Sequence, residues 1–128
     1  MACLLVALPA FACKPLMPNA SRDAKRDAST AEMAFIGNVT SVKASKENPI
    51  VRGGDFIVNR FRITVQSVAS LKGQAPASLN FYAYTGCGST VPDVNERVVV
   101  FSRGGEIQSH SAGEHYEQFF RAALKGPR

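Results

Sequence analysis

The 128-residue chain has no tryptophan, only two histidines and three cysteines, and no apolar run near the roughly 18 residues that a membrane-spanning helix needs. His110 and His115 stand five apart with no cysteine beside them, which is not the i, i+4 pair of a helical zinc site, so no metal of the chain's own is expected. Gly-x-Ser-x-Gly, a phosphate-cradling glycine-rich loop and His-Glu-x-x-His are all missing. No carboxylate pair sits among apolar residues, where burial would raise its pKa. These gaps point away from an enzyme and from any cofactor. Acidic residues are also in short supply, 10 against 15 Lys and Arg, giving +5 and a pI near 9.4. That excess permits an anionic partner such as nucleic acid, an anionic glycan or a lipid surface, and selects none of them. Length and a mean hydropathy of −0.05 suit one small globular domain.

The uncharged stretch Met1 to Ala12 has the length of a signal-peptide apolar region and ends in Ala10-Phe11-Ala12, an Ala-x-Ala cleavage pattern; a basic segment ahead of it is missing. The competing reading is a buried apolar N-terminal strand or helix. Cleavage after Ala12 predicts an exported protein, secreted, periplasmic or extracellular, with Cys13 as its first residue. Cys3 leaves with the signal, and the remaining pair, Cys13 and Cys87, reads as a disulfide across 74 positions. Such a bridge is worth on the order of 4 kcal/mol in the chain-entropy model. Two free thiols in a cytosolic protein would be the alternative. A cysteine directly after a signal can also carry a lipid anchor, although Phe11 fits a lipidation motif poorly.

Residues 13–33 read as an N-terminal arm, with Pro15, Pro18 and mixed charges, too few apolar residues for a core-facing helix, and at most a short helical turn from Asp27 to Met33. Period-two strands follow over 35–42, 56–68, 79–84, 97–102 and 106–109. In the second, Phe61, Ile63 and Val65 alternate with Arg60, Arg62, Thr64 and Gln66, so the apolar set points inward. Leu79, Phe81 and Ala83 do the same against Asn80, Tyr82 and Tyr84. Val98-Val99-Val100-Phe101 is apolar on both faces, as in an internal strand. Turn chemistry at Asn48-Pro49, Gly53-Gly54, Lys72-Gly73, Pro92-Asp93 and Gly104-Gly105 separates the strands, the last as a two-residue hairpin. From Glu114 to Lys125, Tyr116, Phe119, Phe120, Ala123 and Leu124 mark one face of a helix ended by Gly126-Pro127. The expectation is all-β: a small five-stranded barrel over 34–125 with a C-terminal amphipathic helix.

Taken together, Cys13 followed by Pro15, the segments Ala34 to Val42 and Phe61 to Val68, Leu71-Lys72-Gly73, Cys87-Gly88, and Glu96 to Phe101 resemble the netrin-like module. The similarity is greatest to the N-terminal domain of the tissue inhibitors of metalloproteinases, and it covers most of 13–125. It implies an OB-type barrel in which the N-terminal cysteine bonds that of the Cys-Gly pair. It also implies inhibition of a zinc metalloprotease by an edge of Cys13, Lys14 and Pro15, the Cys13 amine and carbonyl chelating the enzyme's metal and Lys14 entering its first primed pocket. The chain departs from the family where Cys-x-Cys is replaced by Cys13-Lys14-Pro15, and Ser109, His110 and Ser111 occupy the region of the second cysteine's partner.

A second candidate site is a basic face: Arg60 and Arg62, with Arg22, Lys25 and Arg26, suit an anionic glycan or lipid headgroup, the alternative being a merely solvated basic face. With Tyr82 and Tyr84 the same two arginines suit the stacking of single-stranded bases. Single-stranded nucleic acid would fit only if the chain is not exported. Arg52-Gly53-Gly54 and Arg103-Gly104-Gly105 read as turns, and the patterns at Asn19 and Asn38 fit N-glycosylation only in a host that performs it.

Overall fold

The computed structural model describes residues 19–44, 50–52, 56–58, 60–84, 91–113 and 115–126. Helix α1 (Ala20–Thr30) leads into β1 (Met33–Ala44). Then come β2 (Ile50–Arg52), β3 (Phe56–Val58), β4 (Arg60–Lys72), β5 (Ser78–Tyr84), β6 (Arg97–Arg103), β7 (Glu106–Ser111) and helix α2 (Tyr116–Leu124). Five strands form one antiparallel sheet in the order β5-β4-β1-β6-β7, and β2 pairs with β3 separately. The all-β expectation, with a small barrel-like sheet and a helix after the last strand, describes this chain. The region read as one strand over 56–68 is two, β3 and the longer β4.

The sheet rolls but does not close. Its edge strands β5 and β7 share no ladder, and the cleft between them is lined by Phe81, Ala83, Ile107 and Ser109 among others. Rolling is achieved by extra residues. Gly37 pairs with Ser67 but Ile36 with Ala69, so Val68 is a bulge, and it is 52% exposed. Thr40 is the bulge on β1, between the pairs Val39↔Val65 and Ser41↔Thr64. Each bulge sharpens the local twist and re-aims the side chains beyond it. Ile63 and Val65 therefore face the inside of the roll, while Ala69 and Leu71 on the same strand pack toward the helices.

Two hydrophobic clusters result, sharing β1 and β6. Inside the roll lie Phe35, Val39, Ile63, Val65, Phe81, Val98 and Val100. On the opposite side Ala34, Ile36, Val99 and Phe101 meet Ala24 and Ala28 of α1 and Tyr116 and Phe120 of α2. The run Val98 to Phe101 serves both clusters, which is why it is apolar throughout. Gly104 (φ 60°) and Gly105 (φ 82°) make the two-residue turn between β6 and β7, and both need the left-handed backbone that glycine adopts freely.

The arm over 13–33 requires correction, because most of its described part is α1. Asn19 caps this helix by accepting a hydrogen bond from the Arg22 N–H (2.8 Å). Its inner face is built from alanines, Ala20, Ala24 and Ala28, with Ala31 just beyond. Methyl groups bring a helix close to a sheet while contributing little to an apolar count, so composition hides the contact. Met1–Ala12, the candidate edge Cys13, Lys14 and Pro15, Cys87, and the turns at Asn48-Pro49 and Gly53-Gly54 lie outside the described residues.

Candidate functional site

The outward face of β1, β4 and β5 carries the predicted basic residues. β4 and β5 pair without a bulge from Arg60↔Tyr84 through Arg62↔Tyr82 to Gln66↔Ser78, so each arginine stands opposite a tyrosine. On the other side of β4, Lys43 pairs with Arg62, completing a Lys43-Arg62-Tyr82 row across three strands. The Arg60 guanidinium lies over the Tyr82 ring, 4.7 Å from its centroid. Tyr82 and Tyr84 are 47% and 42% exposed, and Arg62 and Lys43 are exposed too. Below them a polar row is tied together: Thr64 Oγ1 donates to Asn80 Oδ1 (2.7 Å), and Thr40 Oγ1 donates to the Thr64 carbonyl (3.3 Å). β1, β4 and β5 contain no Asp or Glu at any position. The face is thus cationic and aromatic on a backbone held by two ladders.

Where the helices pack on the sheet, a buried polar contact joins the two of them. Asp27 is 3% exposed and accepts a 2.7 Å hydrogen bond from the Tyr116 hydroxyl. Its other oxygen accepts from Arg26 Nε (3.1 Å) and lies 3.6 Å from Arg103 Nη1. Tyr116 is fully buried, with the His110 ring stacked on it at 3.7 Å and nearly parallel. Burial, and then the hydrogen bond to the Asp27 carboxylate, push the Tyr116 phenol well above the usual tyrosine range. Sequence reasoning placed Asp27 among the mixed charges of the arm, at the start of a short helical turn. The signal available was its position within the alanine stripe, between Ala24 and Ala28.

Glu117, at the start of α2, accepts both Arg97 Nε (2.8 Å) and Arg97 Nη2 (3.0 Å), and also Arg121 Nε (3.0 Å). The Arg97 hydrogen bonds first, and Arg121 next, hold its carboxyl below the ordinary glutamate value. A depressed folded-state pKa stabilises above the unfolded value and is lost as pH falls through the folded one. Glu117→Gln is therefore expected to cost about 1 kcal/mol at pH 7 and less at pH 3, measured by urea unfolding at both pH values.

The two histidines are not brought together. His110 stacks on Tyr116 and its Nδ1 meets the Ser111 carbonyl, while His115 Nδ1 meets Gln118 Oε1. Among the described residues no cluster of His, Cys, Asp and Glu could hold a metal ion, and no helix is long and apolar enough to cross a membrane. Compared with known protein families, curated proteins and solved structures, the chain matches none.

Proposed function

We propose that the protein is an exported, non-enzymatic binding module of the netrin-like type, acting by protein contact through Cys13, Lys14 and Pro15 on a zinc metalloprotease. The reading is supported by one structural observation above others: the described segments of the resemblance, in Ala34 to Val42, Phe61 to Val68 and Glu96 to Phe101, fall on or beside β1, β4 and β6 of a rolled five-stranded antiparallel sheet with a helix after it. The chemistry is simple. A catalytic zinc keeps one position for water, and an α-amine with its own carbonyl displaces that water as a five-membered chelate. Lys14 restricts the targets, since burying an ammonium in an apolar pocket costs several kcal/mol unless it meets an acid.

Intact non-reduced mass of the exported protein tests the first half. A mass equal to residues 13–128 less two hydrogens is expected. A lipid-sized increment would acylate the amine and leave an anchored envelope module instead, and retention of Met1 to Ala12 would remove the chelating terminus. Inhibition of a zinc metalloprotease panel tests the second half. One alanine added ahead of Cys13 is expected to abolish inhibition, because the chelate then lacks its amine, and equal inhibition with and without that alanine would refute the mechanism.

A further inference from the structure

We infer that the outward face of β1, β4 and β5 is a binding site for an anionic polysaccharide, with Arg60, Arg62 and Lys43 meeting its carboxylates or sulfates, Tyr84 lying against a sugar ring, and Tyr82 supporting the Arg60 guanidinium. Three observations converge on that ligand. The charge favours an anion: these strands hold Lys43, Arg60 and Arg62 on the face and no carboxylate along their whole length, against one carboxylate, Glu106 of β7, in the cleft that Tyr82 and Tyr84 also line. The cations are mainly arginines, whose planar forks fit carboxylate and sulfate oxygens two at a time. The aromatic component is exposed and placed opposite those forks, Tyr84 across from Arg60 and Tyr82 across from Arg62, so a charged group and a ring are offered side by side.

The same face is less suited to single-stranded nucleic acid. Sequence-tolerant base binding uses open aromatic faces on which successive bases stack. Here the Arg60 guanidinium occupies a face of the Tyr82 ring, leaving a supported guanidinium where an open platform would be needed. Preferring a polysaccharide also rests on the export reading above, since an exported chain meets glycans rather than nucleic acid. The site itself does not use the Cys13 edge, so it can be tested without any protease.

The probes are heparin, polygalacturonate and a 20-nucleotide oligo(dT), titrated against the exported protein at several salt concentrations. Tighter binding to one of the two polysaccharides than to oligo(dT) is expected. Arg60→Ala/Arg62→Ala should weaken that binding about tenfold or more and flatten its salt dependence, as fits two lost ionic contacts. Tyr84→Ala should weaken it several-fold with the salt slope kept, because the ring carries no charge. Arg121→Ala on α2, an exposed cation beside Ser70 and Leu71 at the opposite end of β4 from Arg60 and Arg62, is the control and should change binding by less than about twofold. Arg62→Gln provides a milder variant, with thermal unfolding checking that each protein is folded. The proposal is overturned if the arginine variants bind like the parent protein, if Arg121→Ala costs as much as they do, or if oligo(dT) binds more tightly than both polysaccharides.

Discussion

Gly37→Ala is expected to lower stability by about 3 kcal/mol or more, the largest effect of a methyl added at any described glycine. A Cβ at this position would lie 2.2 Å from Val65 Cγ1, 2.9 Å from the Gln66 carbonyl oxygen and 3.2 Å from a Phe35 ring carbon. Carbon atoms in ordinary contact stand about 3.5–4.0 Å apart, so the overlap cannot be absorbed by a small shift. Val65 and Phe35 are fully buried inside the roll, and the Gln66 oxygen belongs to a backbone held in the ladder. A glycine-to-alanine change also restricts the unfolded chain, which favours folding by about 0.4–1 kcal/mol where the site accepts the methyl. Here the clash wins because Gly37 pairs with Ser67 beside the Val68 bulge, where the register of β1 on β4 shifts and the strand leaves no room for a side chain. Urea unfolding measures the loss. A second substitution, Val65→Ala, removes the atom that meets the new methyl, so the double variant should be less destabilised than the sum of the two single ones. Simple additivity would show that the close approach at Gly37 is not what sets its cost.

That position illustrates which parts of this fold can be read from sequence. The alternation of Phe61, Ile63 and Val65 against Arg60, Arg62 and Thr64 was legible because each residue on a regular strand reports its own face. The same regularity turned Tyr82 and Tyr84 outward with the arginines, and β4 and β5 pair them as Arg60↔Tyr84 and Arg62↔Tyr82. Gly104-Gly105 and the stripe from Tyr116 to Leu124 were legible for similar reasons of local geometry. The bulges at Thr40 and Val68 were not, because an extra residue is defined only by what lies opposite it on another strand. Without them neither the face change along β4 nor the open seam between β5 and β7 can be foreseen. Helix α1 was missed through its chemistry: alanines bury little area each, and Asp27 lowers the apparent hydrophobicity of the very face that packs. A carboxylate inside an alanine stripe signals a buried partner, and the partner, Tyr116, lies 89 positions away.

The contact between Asp27 and Tyr116 supplies the second large effect. Asp27→Ala is expected to cost about 2–3 kcal/mol, since the buried Tyr116 hydroxyl would be left without its acceptor. Arg26 and Arg103 contribute less to that loss, because their side chains are 53% and 36% exposed and water replaces the carboxylate. Tyr116→Phe should cost about 1.5–3 kcal/mol by removing a hydrogen bond to a charged acceptor. The double variant Asp27→Ala/Tyr116→Phe should cost clearly less than the two singles added, because no orphaned hydroxyl or carboxylate remains. Alkaline unfolding gives an independent check. Burial and the Asp27 carboxylate raise the Tyr116 pKa in the folded state, so the unfolded chain loses this proton first as pH rises. The stabilisation is complete below about pH 10 and declines above it, at about 1.4 kcal/mol per pH unit for one group. Other groups titrating in that range are common to both proteins, so the measurement is the difference between the parent and Tyr116→Phe. That difference should be constant from pH 7 to 9 and shrink above pH 10, as the parent loses a contribution that the phenylalanine variant never had. A difference that stays flat through pH 11 would mean that the hydroxyl is not held protonated against Asp27, and that α1 is joined to α2 by packing alone.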